Sequence, residues 1–209
     1  MTYPKQAFYP NRTFCITLPE NPERHERAKK HFEERGVTVQ FFEGIHAEKF
    51  GLHTIFTYEV DHPGTNYKIG FKSVGNFLSQ YMLWAALNLL PDEHFMILEI
   101  DAEFPPDWQE RLWSALQQTP PDFDMLFIGS CCTANAPKEL ISGPVWEVKY
   151  PACTHAFVVA KKALPILLRT QRKVYGAVDA MLIFHSLPLL KVYTVLPAIV
   201  GQRDTILTP

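Results

Sequence analysis

Short apolar runs alternate with segments of helical periodicity along most of the chain. Residues 13–18 (TFCITL) and 37–45 (VTVQFFEGI) have the composition of strands, and the charged segment between them predicts a helix. Asn21 can cap this helix, Pro22 suits its first turn and Gly36 can end it. Because a helix between two strands is typical of a crossover connection, this order predicts a parallel sheet.

The alternation continues into the last third of the chain. From Ser73 onwards, apolar residues recur every three or four positions, which predicts an amphipathic helix that Pro91 ends. Pro165 is expected to kink the helix that contains it or to delay the start of that helix. Further strands are predicted at 94–100, 123–129, 154–160 and 189–197, and further helices at 105–118, 161–170 and 176–187.

Two segments lack a regular pattern. Residues 1–12 predict an irregular N-terminus, and residues 46–72, which contain several glycines and a proline, predict a long loop of the kind that often carries function. No repeat or low-complexity linker divides the remainder. The pattern therefore predicts one α/β domain over residues 1–209, with a mostly parallel central sheet flanked by helices.

Composition excludes several classes of protein. A hydrophobic content of 47% and an aromatic content of 13% exclude a disordered chain, and a net charge of −2 from mixed acids and bases excludes a nucleic-acid-binding face. No apolar run approaches the roughly 20 residues that span a bilayer, and the N-terminus lacks the apolar core of a secretory signal. A cytoplasmic protein is expected, with its four cysteines, Cys15, Cys131, Cys132 and Cys153, as buried reduced thiols.

Three acids, Glu99, Asp101 and Glu103, occupy alternate positions where a predicted buried strand ends. In open α/β sheets, ligands bind in the crevice at the carboxyl ends of the strands. A hard cation such as Mg²⁺ or Mn²⁺ takes one or two carboxylates and completes its shell with phosphate and water, which suits a nucleotide diphosphate. The alternative is that the acids are solvated, or that they pair with Lys149 or Arg111.

Five groups of segments resemble, in the same order, the motifs of a known family. They are CITLPENPERHERAKKHFEERGV with FFEGIHA, SVGNFLSQYMLWAALNLL, FMILEIDAEFPPDW, THAFVVAKKALPILL with VDAMLIFH, and LPAIVGQRD. Together they resemble glycosyltransferase family 25, the group of lipooligosaccharide and collagen galactosyltransferases, from about residue 13 to residue 204.

The chain departs from the family pattern at three positions. The family triplet Glu-Asp-Asp is Glu99-Ile100-Asp101, the cysteine after Gly75 is Asn76, and the histidine after the helix serine is Gln80. Because alternate strand residues point to opposite faces, Glu99 and Asp101 are expected to face the ligand while Ile100 faces the core.

The resemblance implies a GT-A-type, Rossmann-like fold and a role in polysaccharide biosynthesis. The implied reaction is transfer of a hexose, with inversion, from a nucleotide-sugar donor such as UDP-galactose to a hydroxyl of a saccharide or protein. A divalent cation, Mn²⁺ or Mg²⁺, is the implied cofactor, and nucleic acid is not a partner. If the acceptor is lipid-linked, the protein is expected to work at the periphery of a membrane.

The resemblance also implies roles for individual residues. The implied metal ligands are Glu99, Asp101 and His155, the implied donor-binding residues are Thr17, Leu18, Arg24, Gly75, Ser79 and Gln202, and the implied catalytic base is Asp179. Each of three residues has a structural alternative. Asp179 can be an acid favoured by the helix dipole, Arg24 can pair with a glutamate of its own helix, and His155 can be a hydrogen-bonded strand histidine.

Two other functions are weighed against catalysis of sugar transfer. A catalytically inactive domain that binds sugar or nucleotide is favoured by Ile100 and Gln80 in place of the family acid and histidine. A dehydrogenase or kinase would carry G-x-G-x-x-G or G-x-x-x-x-G-K-[ST], and the chain contains neither phosphate-binding motif.

Overall fold

The structure, a computed structural model, describes residues 10, 12–18, 20–51, 70–131, 138–174 and 176–203. Most of the predicted N-terminal segment and residues 52–69 of the predicted loop lie outside the described residues, as does Cys132. The helices are α1 (Pro22–Glu34), α2 (Phe71–Asn88), α3 (Trp108–Gln118), α4 (Leu164–Thr170) and α5 (Val178–Met181). The strands are β1 (Arg12–Thr17), β2 (Gln40–Glu43), β3 (His94–Glu99), β4 (Ala102–Glu103), β5 (Met125–Cys131), β6 (Lys138–Ser142), β7 (Val145–Val148), β8 (Ala152–Ala160), β9 (Val192–Val195) and β10 (Gly201–Gln202).

An eight-stranded sheet with the order β2-β1-β3-β8-β5-β9-β7-β6 forms the centre of the described chain. Strands β8 and β7 run opposite to the other six, so the predicted mostly parallel sheet is confirmed. The predicted strand at 154–160 is the reversed strand β8, which lies between β3 and β5. The hairpin of β6 and β7 was not predicted; Gly143 at its turn has a φ of 50°, a conformation that favours glycine.

The direction of the strands determines which residues meet at one edge of the sheet. Strands β1 and β3 are parallel, with Ile16 opposite Glu99, so both end at the same edge. Strand β8 is antiparallel to β3, with Leu98 opposite Ala156, so it begins at that edge. The ends of β1 and β3 and the start of β8 therefore surround one location.

Side chains of the central strands alternate between two core clusters. In β3, Phe95 and Ile97 belong to the cluster that also contains residues of α2, α4 and α5. Met96 and Leu98 belong to the cluster that contains residues of α1 and α3. The sheet is thus covered by helices on both faces, as continuous apolar runs such as FMIL indicate.

The first helix begins and ends where the sequence predicts. Oδ1 of Asn21 accepts a hydrogen bond from the backbone N–H of Arg24 at 3.0 Å, with Pro22 in the first turn. Gly36 follows the helix with a φ of 64°. In the last third, Pro165 lies in the first turn of α4, so it delays the start of the helix.

The predicted helix at 176–187 consists of three short pieces. Helix α5 is followed by a π-helical segment, Leu182–Ser186, and by a 3₁₀ turn, Leu187–Leu189. The amide nitrogen of Gln171 donates to the Met181 carbonyl at 3.0 Å and to the Ser186 hydroxyl at 2.6 Å. This buried side chain satisfies groups that a regular helix would pair within itself.

The cysteines differ from the prediction. Cys15 is a buried free thiol, and burial, followed by the nearby carboxylates of Asp101 and Glu99, raises its pKa. Cys153 is disulfide-bonded, so the prediction that all four cysteines are reduced is wrong. The spacing of cysteines along a chain does not show which of them the fold brings together. Among the described helices, none combines the length and apolar character that crossing a membrane requires.

Candidate active site

A cavity of about 350 Å³ opens at the edge where β1 and β3 end. Its walls come from these two strand ends, from the first turns of α1, from the segment that follows β2 and from the first half of α2. Seven of the predicted site residues line it: Thr17, Leu18, Arg24, Gly75, Ser79, Glu99 and Asp101. Lys72 at the start of α2 lines it as well.

Helix α2 forms one wall because it approaches the segment after β2 very closely. The hydroxyl of Ser79 donates to the Gly75 carbonyl at 2.6 Å and accepts a hydrogen bond from the Ile45 N–H at 2.7 Å. A Cβ at Gly75 would lie 2.6 Å from the Ile45 carbonyl oxygen, a distance that real Cβ atoms essentially never show. Gly75 and Ser79 therefore join helix and loop at the cavity.

Glu99 is held by donors from two elements. Oε1 of Glu99 accepts hydrogen bonds from the Thr154 hydroxyl at 2.7 Å and from the Asn76 side-chain amide at 3.3 Å. Within the described part of the chain, no hydrogen bond reaches Oε2. Glu99 thus has one oxygen committed to the protein and one open to a ligand.

The two carboxylate oxygens of Asp101 also differ in their partners. Oδ2 of Asp101 lies 3.3 Å from the Arg24 guanidinium and accepts a hydrogen bond from the Gln202 amide at 3.1 Å. Oδ1 is buried and has no hydrogen-bond partner among the described residues. The cation that meets Asp101 is therefore Arg24, neither Lys149 nor Arg111; Arg111 donates instead to the carbonyls of Pro197 and Ala198.

The surroundings of Glu99 disfavour the ionised form of its carboxyl group. Burial raises the pKa of its carboxyl most, and the carboxylates of Asp101 and Asp179 raise it further. The hydrogen bonds from Thr154 and Asn76 offset part of this shift. A carboxylate that is kept out of water next to other carboxylates favours a bound cation.

Asp179 lies near this pair without lining the cavity. Its Oδ1 accepts the backbone N–H of Ala180 at 2.8 Å, and its Oδ2 accepts the N–H of Cys153 at 3.4 Å. It occupies the first turn of α5, and its charge reaches Glu99. Both of its sequence-based interpretations, as a base and as an acid at a helix start, are compatible with this position.

The remaining predicted residues lie around the cavity. The ring of His155 is buried, with Nε2 3.2 Å from the Val200 carbonyl oxygen, because successive side chains of a strand point in opposite directions and Thr154 is the one that reaches Glu99. Gln202 contacts Asp101 and is not part of the cavity lining. Glu103 lies beyond the site, 3.8 Å from Arg203.

The residues present fit a divalent cation in part. Within the described ranges, no three acidic, histidine or cysteine side chains form a group that could hold a metal, so the structure does not bring His155 to the acidic pair as a third ligand. Two carboxylates with one uncommitted oxygen each do fit a hard cation that takes its other ligands from phosphate and water. The buried, unpartnered Oδ1 of Asp101 is the observation that supports this fit.

Replacing the acid at position 100 by isoleucine leaves this arrangement intact. Ile100 packs against the core cluster on the α1 and α3 side, and it also contributes to the cavity wall. Glu99 is held by Asn76 and Thr154, and Asp101 by Arg24 and Gln202. None of these contacts involves the side chain at position 100, so the middle position of the triplet is not needed to form the pair.

Two residues of the site were missed from the sequence. Asn76 was noted only as a departure from the family, and Thr154 only as part of a strand. Polar residues one helical turn before Gln80 and at a strand start do carry a signal, but it is weak because such residues are common at the ends of elements. Their role becomes visible only when the direction of β8 is known.

Replacing Glu99 by glutamine is expected to stabilise the folded protein at neutral pH. The raised pKa means that ionisation of Glu99 opposes folding once the pH exceeds the ordinary value of 4.5. Glutamine removes this charge and keeps an oxygen for Thr154 and Asn76. We expect the melting temperature to rise by about 2–4 °C at about pH 7, the shift that roughly 1 kcal/mol produces in a domain of this size. The difference should disappear near pH 4, where Glu99 is protonated in both states; an equal gain at both pH values would contradict the electrostatic cause.

Comparison with known proteins shows the family of the chain. The model of glycosyltransferase family 25 (LPS biosynthesis protein) matches residues 11–141, which is more than half of the chain. A glycosyltransferase 25 family member from Anopheles gambiae is 22% identical over 178 residues, covering 80% of this chain and 30% of the relative. One from Drosophila pseudoobscura pseudoobscura is 26% identical over 126 residues, covering 56% of this chain and 20% of the relative. The chain thus spans less than a third of the length of these curated relatives.

A solved structure shares the fold. A glycosyltransferase involved in the glycosylation of the major capsid of PBCV-1 aligns with a TM-score of 0.55 at 12% identity, over 92% of this chain and 92% of that one. The predicted GT-A-type fold, with helices on both faces of a mostly parallel sheet, is confirmed. The chain belongs to glycosyltransferase family 25.

Proposed function

We propose that the protein transfers a hexose from a nucleotide-sugar, UDP-linked as in UDP-galactose, to a hydroxyl of a saccharide or protein acceptor. The observation that carries this proposal is that Glu99 and Asp101, each with one carboxylate oxygen bound by the protein, line a cavity bounded by two parallel strand ends. This is the place where open α/β sheets bind nucleotides. Membership of the family supports sugar transfer as the reaction.

The nucleotide is proposed to occupy the cavity described above. Its volume of about 350 Å³ lies in the range of small-molecule sites. Thr17 and Leu18 line the side next to β1, and Lys72 lines it at the start of α2, where it can meet a phosphate. No side-chain cap is present at the N-terminus of α2 among the described residues, and the positive end of a helix dipole favours an anion.

Glu99 and Asp101 are the residues that would hold a divalent cation, with Mn²⁺ or Mg²⁺ as the proposed ion. When bound, such a cation offsets the negative charge that develops on the departing diphosphate. Arg24 supplies a further positive charge beside Asp101. Lysine or arginine near a diphosphate acts in the same electrostatic sense without being consumed.

Asp179 is proposed as the base that accepts the proton of the acceptor hydroxyl. A base for an inverting transfer lies on the side opposite the leaving group, and Asp179 lies on α5, which packs in a different core cluster from α1. Its two hydrogen bonds, from the N–H groups of Ala180 and Cys153, fix its position.

Replacing Asp179 by asparagine is expected to lower the transfer rate by about 10²- to 10⁴-fold while donor binding stays within about twofold. Asparagine keeps an oxygen for one of the two N–H groups, replaces the other oxygen by an amide NH₂ and removes the basicity of the carboxylate. Donor affinity by calorimetry and transfer by release of nucleotide diphosphate are the two measurements. If transfer persists and only the melting temperature falls, Asp179 is an acid that stabilises the helix start.

One observation favours a second function, a domain that binds a sugar nucleotide without catalysis. Arg24 already supplies a positive charge to Asp101, so a diphosphate can be bound without a metal. The two functions differ in their need for the cation and in consumption of the donor.

The experiment that tests the proposal is a thermal-stability series with UDP-, GDP- and CMP-sugars, each with Mn²⁺ and with EDTA. A ligand that binds the folded state raises the melting temperature by mass action, by an amount that corresponds to about 2.7 kcal/mol at 100 times Kd. A rise with one donor class that requires Mn²⁺ supports the transferase. A rise that is equal in EDTA, without release of nucleotide, supports the binding domain, and no rise with any donor contradicts both.

A further inference from the structure

Two of the four residues that hold the acidic pair do not line the cavity themselves. Thr154 and Gln202 are outside the lining, yet each donates to one of the two carboxylates. The bond from Thr154 is the shortest of the four that reach the pair, at 2.7 Å. The Thr154 hydroxyl is therefore the donor closest to the pair.

Thr154 is placed for one partner. It is 4% exposed, and it lies at the start of β8, which is antiparallel to β3 and begins where Glu99 ends that strand. Its hydroxyl and the amide of Asn76 approach the same oxygen of Glu99 from different elements, β8 and α2. Two donors on one oxygen fix both the rotation of the carboxylate and the position of its second oxygen.

We propose that Thr154 is a positioning residue whose hydroxyl, together with Asn76, ties Oε1 of Glu99 and thereby presents Oε2 to the cation and diphosphate of the donor. The inference rests on the proposed function of this site. Groups that orient a metal-binding carboxylate contribute to affinity through it, and their loss typically lowers metal affinity about 10- to 100-fold.

The test compares Thr154→Val with Thr154→Ser. Valine has nearly the shape of threonine and lacks the donor, so Glu99 keeps only the longer bond from Asn76. Serine keeps the hydroxyl and loses a methyl group. Calorimetry measures the affinity for Mn²⁺ in the presence of saturating UDP, and the affinity for UDP alone in EDTA.

We expect Thr154→Val to lower the affinity for Mn²⁺ about 10- to 100-fold. We expect Thr154→Ser to keep an affinity for Mn²⁺ within about threefold of the wild type. Binding of UDP in EDTA should be unchanged in both variants. A purely structural role predicts the opposite order, because serine leaves the larger void. Equal affinity of all three proteins, or equal loss in both variants, overturns the positioning role.

A second variant keeps the test decisive if Thr154→Val does not fold. Asn76→Ala removes the other donor from a half-buried position on α2 and is expected to lower Mn²⁺ affinity in the same direction by about tenfold. An unchanged affinity there overturns the proposal. If the folded wild-type protein itself binds neither Mn²⁺ nor UDP, the proposed function fails and this inference fails with it, an outcome distinct from normal binding that the variants leave unchanged.

Discussion

Replacing Asp101 by alanine is expected to reduce sugar transfer by at least about 100-fold and to leave the chain folded. The substitution removes both the buried oxygen that has no partner and the oxygen that Arg24 and Gln202 hold. Stabilisation of the departing diphosphate by a cation accounts for several kcal/mol of a transfer reaction, and each 1.4 kcal/mol is about tenfold in rate. The side chain is 12% exposed and short, so its loss creates little empty volume.

Glu103→Ala is the matched control for this variant. Glu103 belongs to the same run of alternating acids but is exposed, and it lies 3.8 Å from Arg203, away from the cavity. Its removal should leave both turnover and donor-induced stabilisation within about twofold of the wild type, as surface substitutions usually do. Full turnover of the Asp101 variant, measured as release of nucleotide diphosphate, would show that Asp101 is not part of the active site.

Replacing Gly75 by alanine is expected to destabilise the protein by about 1–3 kcal/mol and to weaken donor binding at the same time. The added Cβ would lie 2.6 Å from the Ile45 carbonyl oxygen and 3.5 Å from the Ala47 nitrogen. Both are backbone atoms that cannot rotate away, so α2 and the segment after β2 must separate, as in other overpacked positions. That separation pulls the Ser79 hydroxyl from the Ile45 N–H and changes the shape of the cavity.

Gly70→Ala is the control for the Gly75 variant. A Cβ at Gly70 would meet no atom of the described residues within 4 Å, and Gly70 has a φ of −73°, which alanine adopts readily. Thermal unfolding and donor titration of both variants distinguish a general effect of glycine replacement from the close approach at Gly75. A Gly75 variant as stable as the wild type would show that helix and loop can separate without loss.

Much of the cavity could be predicted because parallel strands bring their carboxyl ends to one edge. Thr17 ends β1 and Leu18 follows it, while Glu99 ends β3 and Asp101 follows that strand. The position of the acids could be predicted from strand order, and Thr17 and Leu18 were implied by the family resemblance. Ile100 could be assigned to the core because strand side chains alternate. The predictions for the two acids and Ile100 used local pattern and the parallel pairing typical of βαβ units.

The partners of the two acids could not be predicted in the same way. Thr154 reaches Glu99 because β8 runs antiparallel to β3, and an apolar run such as THAFVVA has the same appearance in either direction. Because successive strand side chains alternate, His155, the next residue, lies near the Val200 carbonyl while Thr154 reaches Glu99. Gln202 reaches Asp101 because β10 pairs with β4. Strands of only two residues leave no recognisable pattern in a sequence.

Other differences have separate physical causes. The π-helical segment after Met181 depends on a buried glutamine, Gln171, that is distant from it in sequence. The disulfide of Cys153 depends on tertiary proximity. The hairpin at Gly143 joins strands that are too short and too polar to show a clear alternation.

The hydrogen bond from Gln202 to Asp101 has a consequence during synthesis of the protein. Glu99 and Asp101 leave the ribosome about 50 to 100 residues before their partners Thr154 and Gln202, since domains are synthesised from the N-terminus at about 5–20 residues per second. For several seconds the nascent chain carries the two acids without these two partners from its second half. The acidic pair therefore gains its full set of hydrogen bonds only after residue 202 has been synthesised.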